Sequence, residues 1–356
     1  MRILYGVTGE GMGHAIRSRV LLEHLVAQGH DVAVVASGKA LRFLERRFDN
    51  VHPIHGLHMI FDGNRVDVKK TLLSNLVNGL RGIPRNVAKY FDLLRDFRPE
   101  VAISDFESWA YLYGQSHRLP ILSIDNMQIL DRCAVPDVVK TGCEAMFEMT
   151  RTFIASKLPA CRDYFITTFF RPPLRKERTH LFPPILRPEI LSAAPTRGDH
   201  LVVYQSAEGH DELTEILQHT DVECRLYGEL RRDREEVFGN VRRMPFSEDA
   251  FIHDLASCRG VIAGGGFTLM GEALYLGKPM LSIPIEGQVE QLLNARYLEL
   301  EGYGRHALHL DGRVLRDFVD ALPELEDNAA SYRQQGNREI LDGLDGWLDR
   351  AAAGLA

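Results

Sequence analysis

The chain of 356 residues has no C-x-x-C pair. Its five cysteines, Cys133, Cys143, Cys161, Cys224 and Cys258, are odd in number and far apart, which argues against a thiolate zinc site or a disulfide framework and fits a reducing cytoplasm. Positive charge is also short. Against 49 Asp and Glu stand 42 Lys and Arg, a net charge of −7, so no global basic field exists to attract nucleic acid. No apolar run is long enough to cross a bilayer, and Met1-Arg2 leads straight into ILYGV and a glycine-rich turn, which leaves no signal-peptide apolar region. A cytoplasmic protein with at most peripheral membrane contact is expected. What is present is a soluble composition, 45% hydrophobic and 26% charged, on a length that suits two domains with separate cores.

The first half alternates strands and helices. ILYGV (3 to 7) is a short apolar strand; Gly9-Glu10-Gly11-Met12-Gly13-His14 turns the chain into a helix carrying Ile16, Val20, Leu21 and Leu25, and HDVAVVAS is a second strand. This opens a doubly wound sheet without a dinucleotide fingerprint. The glycines are spaced G-x-G-x-G and the second strand ends in Ala36-Ser37-Gly38 with no acidic residue, so NAD is disfavoured and no cofactor is expected. Residues 39 to 99 are mostly helical, with a break near Gly82 and Pro84. EVAIS (100 to 104) and LPILSID (119 to 125) continue the parallel sheet.

Six prolines between 172 and 195, in a basic stretch, read as a linker more than a core element. The domains expected are 1–185 and 200–335, joined by 186–199, with 336–356 as a final helix. In the second domain LVVY, VECRLYG and NVRRMPF are strands, and 248 to 257 is a helix.

The stretch from Val261 to Gly304 is the most informative. A buried strand ends at Gly264-Gly265-Gly266, where the backbone turns with no Cβ in a ligand's way, and a helix from Phe267 to Leu276 presents Leu269, Ala273 and Leu276 on one face. Such a strand, glycine turn and helix N-terminus form an anion site suited to phosphate. Thr268 and Glu272, four residues apart, set a hydroxyl near that phosphate and a carboxylate beyond it that suits ribose hydroxyls. After the strand 279 to 284, Glu290 and Gln291 bring polar groups suited to sugar hydroxyls to the same sheet edge.

The order GGG-x-T-x-x-x-E-A-x-x-x-G-x-P-x-x-x-x-P, then E-Q and N-A, resembles the nucleotide-sugar signature of GT-B glycosyltransferases. It looks most like the UDP-glycosyltransferases and the lipid-linked N-acetylglucosaminyltransferase of peptidoglycan synthesis. The resemblance implies an α/β fold of two Rossmann-like doubly wound domains facing across a cleft, the last helix crossing back onto the first. It implies that Gly264, Gly265, Gly266, Phe267 and Thr268 take the diphosphate, Glu272 the ribose, and Glu290 with Gln291 the sugar of a donor, a UDP-sugar by expectation. By the same token Gly11, Gly13 and Ser206 meet the donor, and Phe246 lies in the base-binding loop. D-x-D, the pair with which metal-dependent glycosyltransferases hold a cation on the diphosphate, is absent, so no metal is expected.

His14 follows the first strand, where a neutral imidazole can take a proton from an acceptor hydroxyl. Asp105 ends EVAIS at the same sheet edge and can hold that imidazole, either as a dyad partner or merely as the cap of the following helix. HA-x-R-S and PEVAISDFESWA match the contexts of the UDP-glycosyltransferase histidine and aspartate. Glu107, in the same loop, is a rival base, and Arg17 and Ser18 either meet donor or acceptor or are solvated. The expected function is inverting, metal-independent transfer of a sugar to a small-molecule or lipid-linked hydroxyl acceptor. GMGHAIRS also resembles the turn of the UDP-sugar hydrolase of pseudaminic acid synthesis, which leaves a nucleotide-sugar hydrolase, or a non-catalytic nucleotide-sugar binder, as alternatives. Arg171, Arg175, Lys176, Arg178 and His180 could seat an anionic acceptor or graze a lipid surface, or form a solvated linker.

Overall fold

The computed structural model describes residues 1–9, 11–56, 61–62, 65–66, 93–205, 210–228, 233–245 and 247–354. The chain forms two compact units: one of residues 1–60, 67–187 and 335–356, the other of 61–66 and 188–334. Ser206, Phe246 and most of the helical stretch expected before residue 99 lie outside the described residues.

The first unit is built on seven strands: β1 (Arg2–Val7), β2 (Asp31–Ala36), β3 (Val51–Pro53), β4 (Val101–Asp105), β5 (Ile121–Asp125), β6 (Asp163–Thr167) and β7 (Thr179–Phe182). They lie in the order β3-β2-β1-β4-β5-β6-β7, every neighbouring pair parallel. A parallel sheet is covered on both faces, and the central strands are accordingly apolar throughout: Ile3, Leu4, Tyr5 and Val7 are wholly buried. Helices α1 (Met12–Ala27), α2 (Gly38–Leu44), α3 (Ser108–His117) and α4 (Glu144–Lys157) follow their strands. Strand order reverses between β1 and β4, so their carboxyl ends border the switch point where such sheets bind ligands.

The second unit repeats the plan with β8 (His200–Gln205), β9 (Glu223–Gly228), β10 (Glu236–Phe238), β11 (Val241–Arg243), β12 (Gly260–Ala263), β13 (Met280–Ser282) and β14 (Gly304–His306). Their order is β10-β11-β9-β8-β12-β13-β14, with only the β10–β11 pair antiparallel. Its helices are α5 (His210–Leu217), α6 (Glu248–Ser257), α7 (Phe267–Tyr275), α8 (Val289–Leu300) and α9 (Gly312–Ala329). The switch point here falls between β8 and β12, beside the start of α7.

The last helix, α10 (Arg338–Ala352), belongs to the first unit. Ile340, Leu344, Trp347 and Leu348 pack in the core that holds Ile3, Leu21, Val34 and Phe165. Trp347 donates its indole N–H to Asp163 Oδ2 at 3.1 Å, and Asp345 faces His24 Nε2 at 2.8 Å.

Two sequence expectations need correction. The proline-rich stretch is not simply a linker: Thr179–Phe182 pairs in parallel with Tyr164–Thr167, and Ile185 and Leu186 are buried. No proline falls inside that strand, so its ladder donors are intact and the flanking prolines only bound it. Part of the basic cluster is paired locally, Lys176 with Asp131 at 2.5 Å and His180 with Asp163 at 2.9 Å. In α7 and its C-cap, Ala273 and Leu276 are buried as the periodicity expects, but Leu269 is only half-buried and the buried face also takes in Met270 and Leu274.

Trp347 is fully buried, so Trp347→Ala should destabilise the protein by about 3–5 kcal/mol in urea unfolding of the first unit. An unchanged midpoint would mean that α10 adds nothing to that core.

Candidate active site

In the first unit the chemistry gathers at the carboxyl ends of β1, β4 and β5. Gly11 caps α1 at φ 77°, a left-handed conformation that favours glycine, with no atom within 4 Å of where a Cβ would stand. Gly13 and His14 fall in the first turn of α1, and Arg17 and Ser18 one turn on. Asp105 is the last residue of β4 and Asp125 the last of β5.

The side chains converge on Asp105, which is 1% exposed. Its Oδ1 accepts from His14 Nδ1 at 2.8 Å and from Arg17 Nη2 at 2.5 Å; its Oδ2 accepts from Arg17 Nε at 2.9 Å and Ser18 Oγ at 2.8 Å. Arg17 Nη1 donates to Asn126 Oδ1 at 2.8 Å. Burial alone would raise the Asp105 carboxyl, but the Arg17 guanidinium and His14 overcome it and hold the group well below the usual carboxylate range. Burial and then Arg17 push the His14 imidazole below its ordinary 6.5, against the pull of Asp105. The ring is therefore neutral at neutral pH. With Asp105 ionised, the proton sits on Nδ1 and Nε2 keeps its lone pair.

Beside it the chain turns through Phe106 at φ 53°, left-handed for a non-glycine residue, with Lys157 Nζ 3.7 Å from the ring centroid. Strain of this kind, of order 1–2 kcal/mol, gathers at functional sites. The turn lets consecutive carboxylates part. Glu107, not Asp105, caps α3: its Oε1 accepts from Trp109 N at 2.8 Å and its Oε2 from Ala110 N at 2.7 Å. Burial raises its carboxyl, the Ala110 and Trp109 N–H groups opposing. Both oxygens of the rival base thus face the backbone of a helix start.

In the second unit the glycine turn after β12 is locked from α8. Gly265 N–H donates to Gln291 Oε1 at 3.2 Å and Gly265 C=O accepts from Asn294 Nδ2 at 3.1 Å, so both polar groups of that peptide are taken by α8 side chains. Gln291 Oε1 also accepts from Ile285 N at 3.1 Å, and Asn294 donates to Glu290 Oε1 at 2.7 Å. A Cβ on Gly265 would stand 2.3 Å from Gln291 O. None of Gly264, Gly265 and Gly266 has a left-handed φ. The reason for Gly265 is therefore close approach of α8, which corrects the expectation that all three glycines clear space for a ligand. Gly266 does fit it: it is exposed, with open space where a Cβ would be.

Past Gly265, the N–H groups of Gly266 and Thr268 and the Thr268 hydroxyl make no hydrogen bond among the described residues, and no side chain caps α7. Phe267 is buried under the turn, and Glu272 lies one turn deeper at 1% exposure. Gln291 Nε2 has no partner among the described residues. The result is a rigid helix start with outward donors and a positive dipole end, suited to a phosphate. Among the described residues no three His, Cys, Asp or Glu side chains gather as a metal site, and no helix is long and apolar enough to cross a membrane.

Sequence reasoning missed Asn126, the depth of Arg17 and the part of Asn294. The available signal was the polar pair Asp125-Asn126 closing an apolar strand, and the N-A that ends the second-domain signature. Asp125 is itself fully buried, its carboxyl raised to about 6 by burial against the Gln128 N–H, the Ser123 hydroxyl and Arg17.

Comparison with known proteins gives these parts a context. A profile of the family described as glycosyl transferase family 1 matches residues 1–323. An uncharacterized glycosyltransferase of Methanosarcina mazei is 28% identical over 331 residues, covering 86% of this chain and 85% of its own. A UDP-N-acetylglucosamine--N-acetylmuramyl-(pentapeptide) pyrophosphoryl-undecaprenol N-acetylglucosamine transferase of Bacillus cereus is 34% identical over 92 residues, 25% of this chain and 26% of its own. The crystal structure of the glycotransferase of kitacinnamycin superposes with a TM-score of 0.67 at 16% identity, covering 97% of this chain and 98% of that one; the fold is the GT-B fold.

Gly265→Ala should cost about 2 kcal/mol or more from overpacking, whereas Gly266→Ala should cost less than about 1 kcal/mol. Chemical unfolding of both variants checks this, and equal losses would show that the approach of α8 is not what demands glycine at 265.

Proposed function

The chain belongs to glycosyl transferase family 1 and is a transferase, and on that premise we propose an inverting, metal-independent enzyme that moves a sugar from a nucleotide diphosphate, UDP by preference, to a hydroxyl acceptor. The observation that carries it is the 2.8 Å bond from His14 Nδ1 to a buried, ionised Asp105, which supports Nε2 as the general base. Nε2 takes the acceptor's proton as its oxygen attacks the anomeric carbon. The carbon–oxygen bond to the diphosphate breaks on the opposite face, and the electron pair leaves with the nucleotide. Asp105 stabilises the imidazolium so formed.

The donor is assigned to the second unit. Its diphosphate meets the N–H groups of Gly266 and Thr268 and the Thr268 hydroxyl, its ribose Glu272, and its sugar Glu290 and the Gln291 amide. These donors and the α7 dipole answer the charge that grows on the leaving group, and the absence of D-x-D from the sequence supports this division of labour. The acceptor is a small molecule or a lipid-linked saccharide. Glu107 serves as a cap, since both its oxygens are engaged by α3.

A thermal-shift screen of UDP, TDP, GDP and CDP sugars identifies the donor, which raises apparent stability by binding the native state. With that donor, His14→Ala should lose transfer by at least about 10²-fold while its donor dissociation constant stays within about twofold. Equal loss for Glu107→Gln with His14→Ala active would move the base to Glu107. Transfer after dialysis against EDTA should equal the untreated rate; loss restored by a divalent cation would refute metal independence.

A further inference from the structure

Arg17 is 4% exposed, and all three of its guanidinium nitrogens are spent inside the first unit. Nε and Nη2 reach the two oxygens of Asp105, and Nη1 reaches Asn126, 109 residues away along the chain. Three of its five N–H groups are engaged in this way, and burial turns the guanidinium away from solvent. Nη2 also lies 2.6 Å from His14 Nδ1. Two nitrogens therefore converge on Oδ1, and each must point a proton at it, because a bare Nδ1 would set its lone pair against a carboxylate oxygen at 2.8 Å.

We propose that Arg17 is a positioning residue: anchored on Asp105 and Asn126, it keeps the carboxylate ionised, so that His14 adopts the tautomer protonated on Nδ1, and it sets a second positive charge against any imidazolium. The base is thereby delivered with a bare Nε2. This deepens the reading of His14 as the base and rests on it.

The charged and titratable groups around the ring divide as follows. Asp105 on β4 favours the imidazolium, while Arg17 on α1 and Lys157 on α4 oppose it. Asp125 on β5 and Tyr5 on β1 act on the Arg17–Asp105 pair. Burial and the cations prevail, and the imidazole is held low. A lysine at 17 keeps one charge but only one donor head, so it cannot span Asp105 and Asn126 together.

The test is ring nitrogen-15 NMR of the full chain labelled on its histidines, His14 being assigned as the signal lost in His14→Gln. In the unmutated protein at neutral pH Nε2 should resonate as an unprotonated nitrogen and Nδ1 as a protonated one, with a titration midpoint below 6.5. In Arg17→Met the His14 midpoint should rise, and in Arg17→Lys both tautomers should appear. Should Arg17→Met fail to fold by circular dichroism, Arg17→Gln, which keeps a polar head at that place without the charge, should still raise the midpoint. Protonated Nε2 in the unmutated protein, or an unchanged midpoint and tautomer in the folded variants, would overturn the proposal. The spectrum does not depend on turnover. If His14→Ala remains active, the base assignment fails while these signals stand; if it is inactive and the midpoint does not move, Arg17 alone loses its role.

Discussion

A carboxylate buried away from water persists only if its charge is met, and the first unit is arranged around meeting the charge of Asp105. Four hydrogen bonds converge on its two oxygens, all of them from α1, the helix that follows β1, and two of the four come from one guanidinium. Removing one partner from such a buried pair typically costs about 3–5 kcal/mol, because the survivor is stranded. The same constraint places the groups proposed as catalytic. To satisfy Asp105, α1 must start at Met12 and run with His14, Arg17 and Ser18 on the face toward β4, and the parallel β1–β4 pairing brings that face to the switch point. Stability and chemistry thus ask for one geometry.

The second unit solves a different problem with the same economy of groups. A glycine turn leading into a helix leaves donors without partners, and the question is which of them the protein itself consumes. Here Gln291 and Asn294 of α8 take both polar groups of Gly265 and fix the turn, while the donors of Gly266 and Thr268 stay outward. The clamp makes the outward donors rigid, so binding an anion orders little. Gln291 spends its carbonyl oxygen on the scaffold, and its Nε2 has no partner among the described residues.

Much of this was legible in the sequence for identifiable reasons. The strands read as apolar runs because a parallel sheet is covered on both sides, and the glycine turn, helix start and Glu272 read in order because they are local. His14 and Asp105 were paired from their places at strand ends, although 91 residues separate them. What stayed hidden depends on partners distant in the chain. Arg17 looked equally suited to solvent or phosphate until Asn126 and Asp105 were seen to consume it. Asp105 and Glu107 could each have capped α3, and only the left-handed Phe106 decides between them. Gly265 looked like ligand clearance but answers the backbone of α8. Thr179–Phe182 looked like linker because its prolines flank the strand without entering it.

The central claim is that the buried cluster presents a neutral imidazole with a free Nε2 at physiological pH. It is tested most directly by the pH dependence of kcat/KM with the identified donor, which reports the free enzyme's base. The account predicts an acid limb whose midpoint lies below 6.5, as the imidazole held low by burial and Arg17 takes a proton. An acid limb centred at or above 6.5 would contradict it.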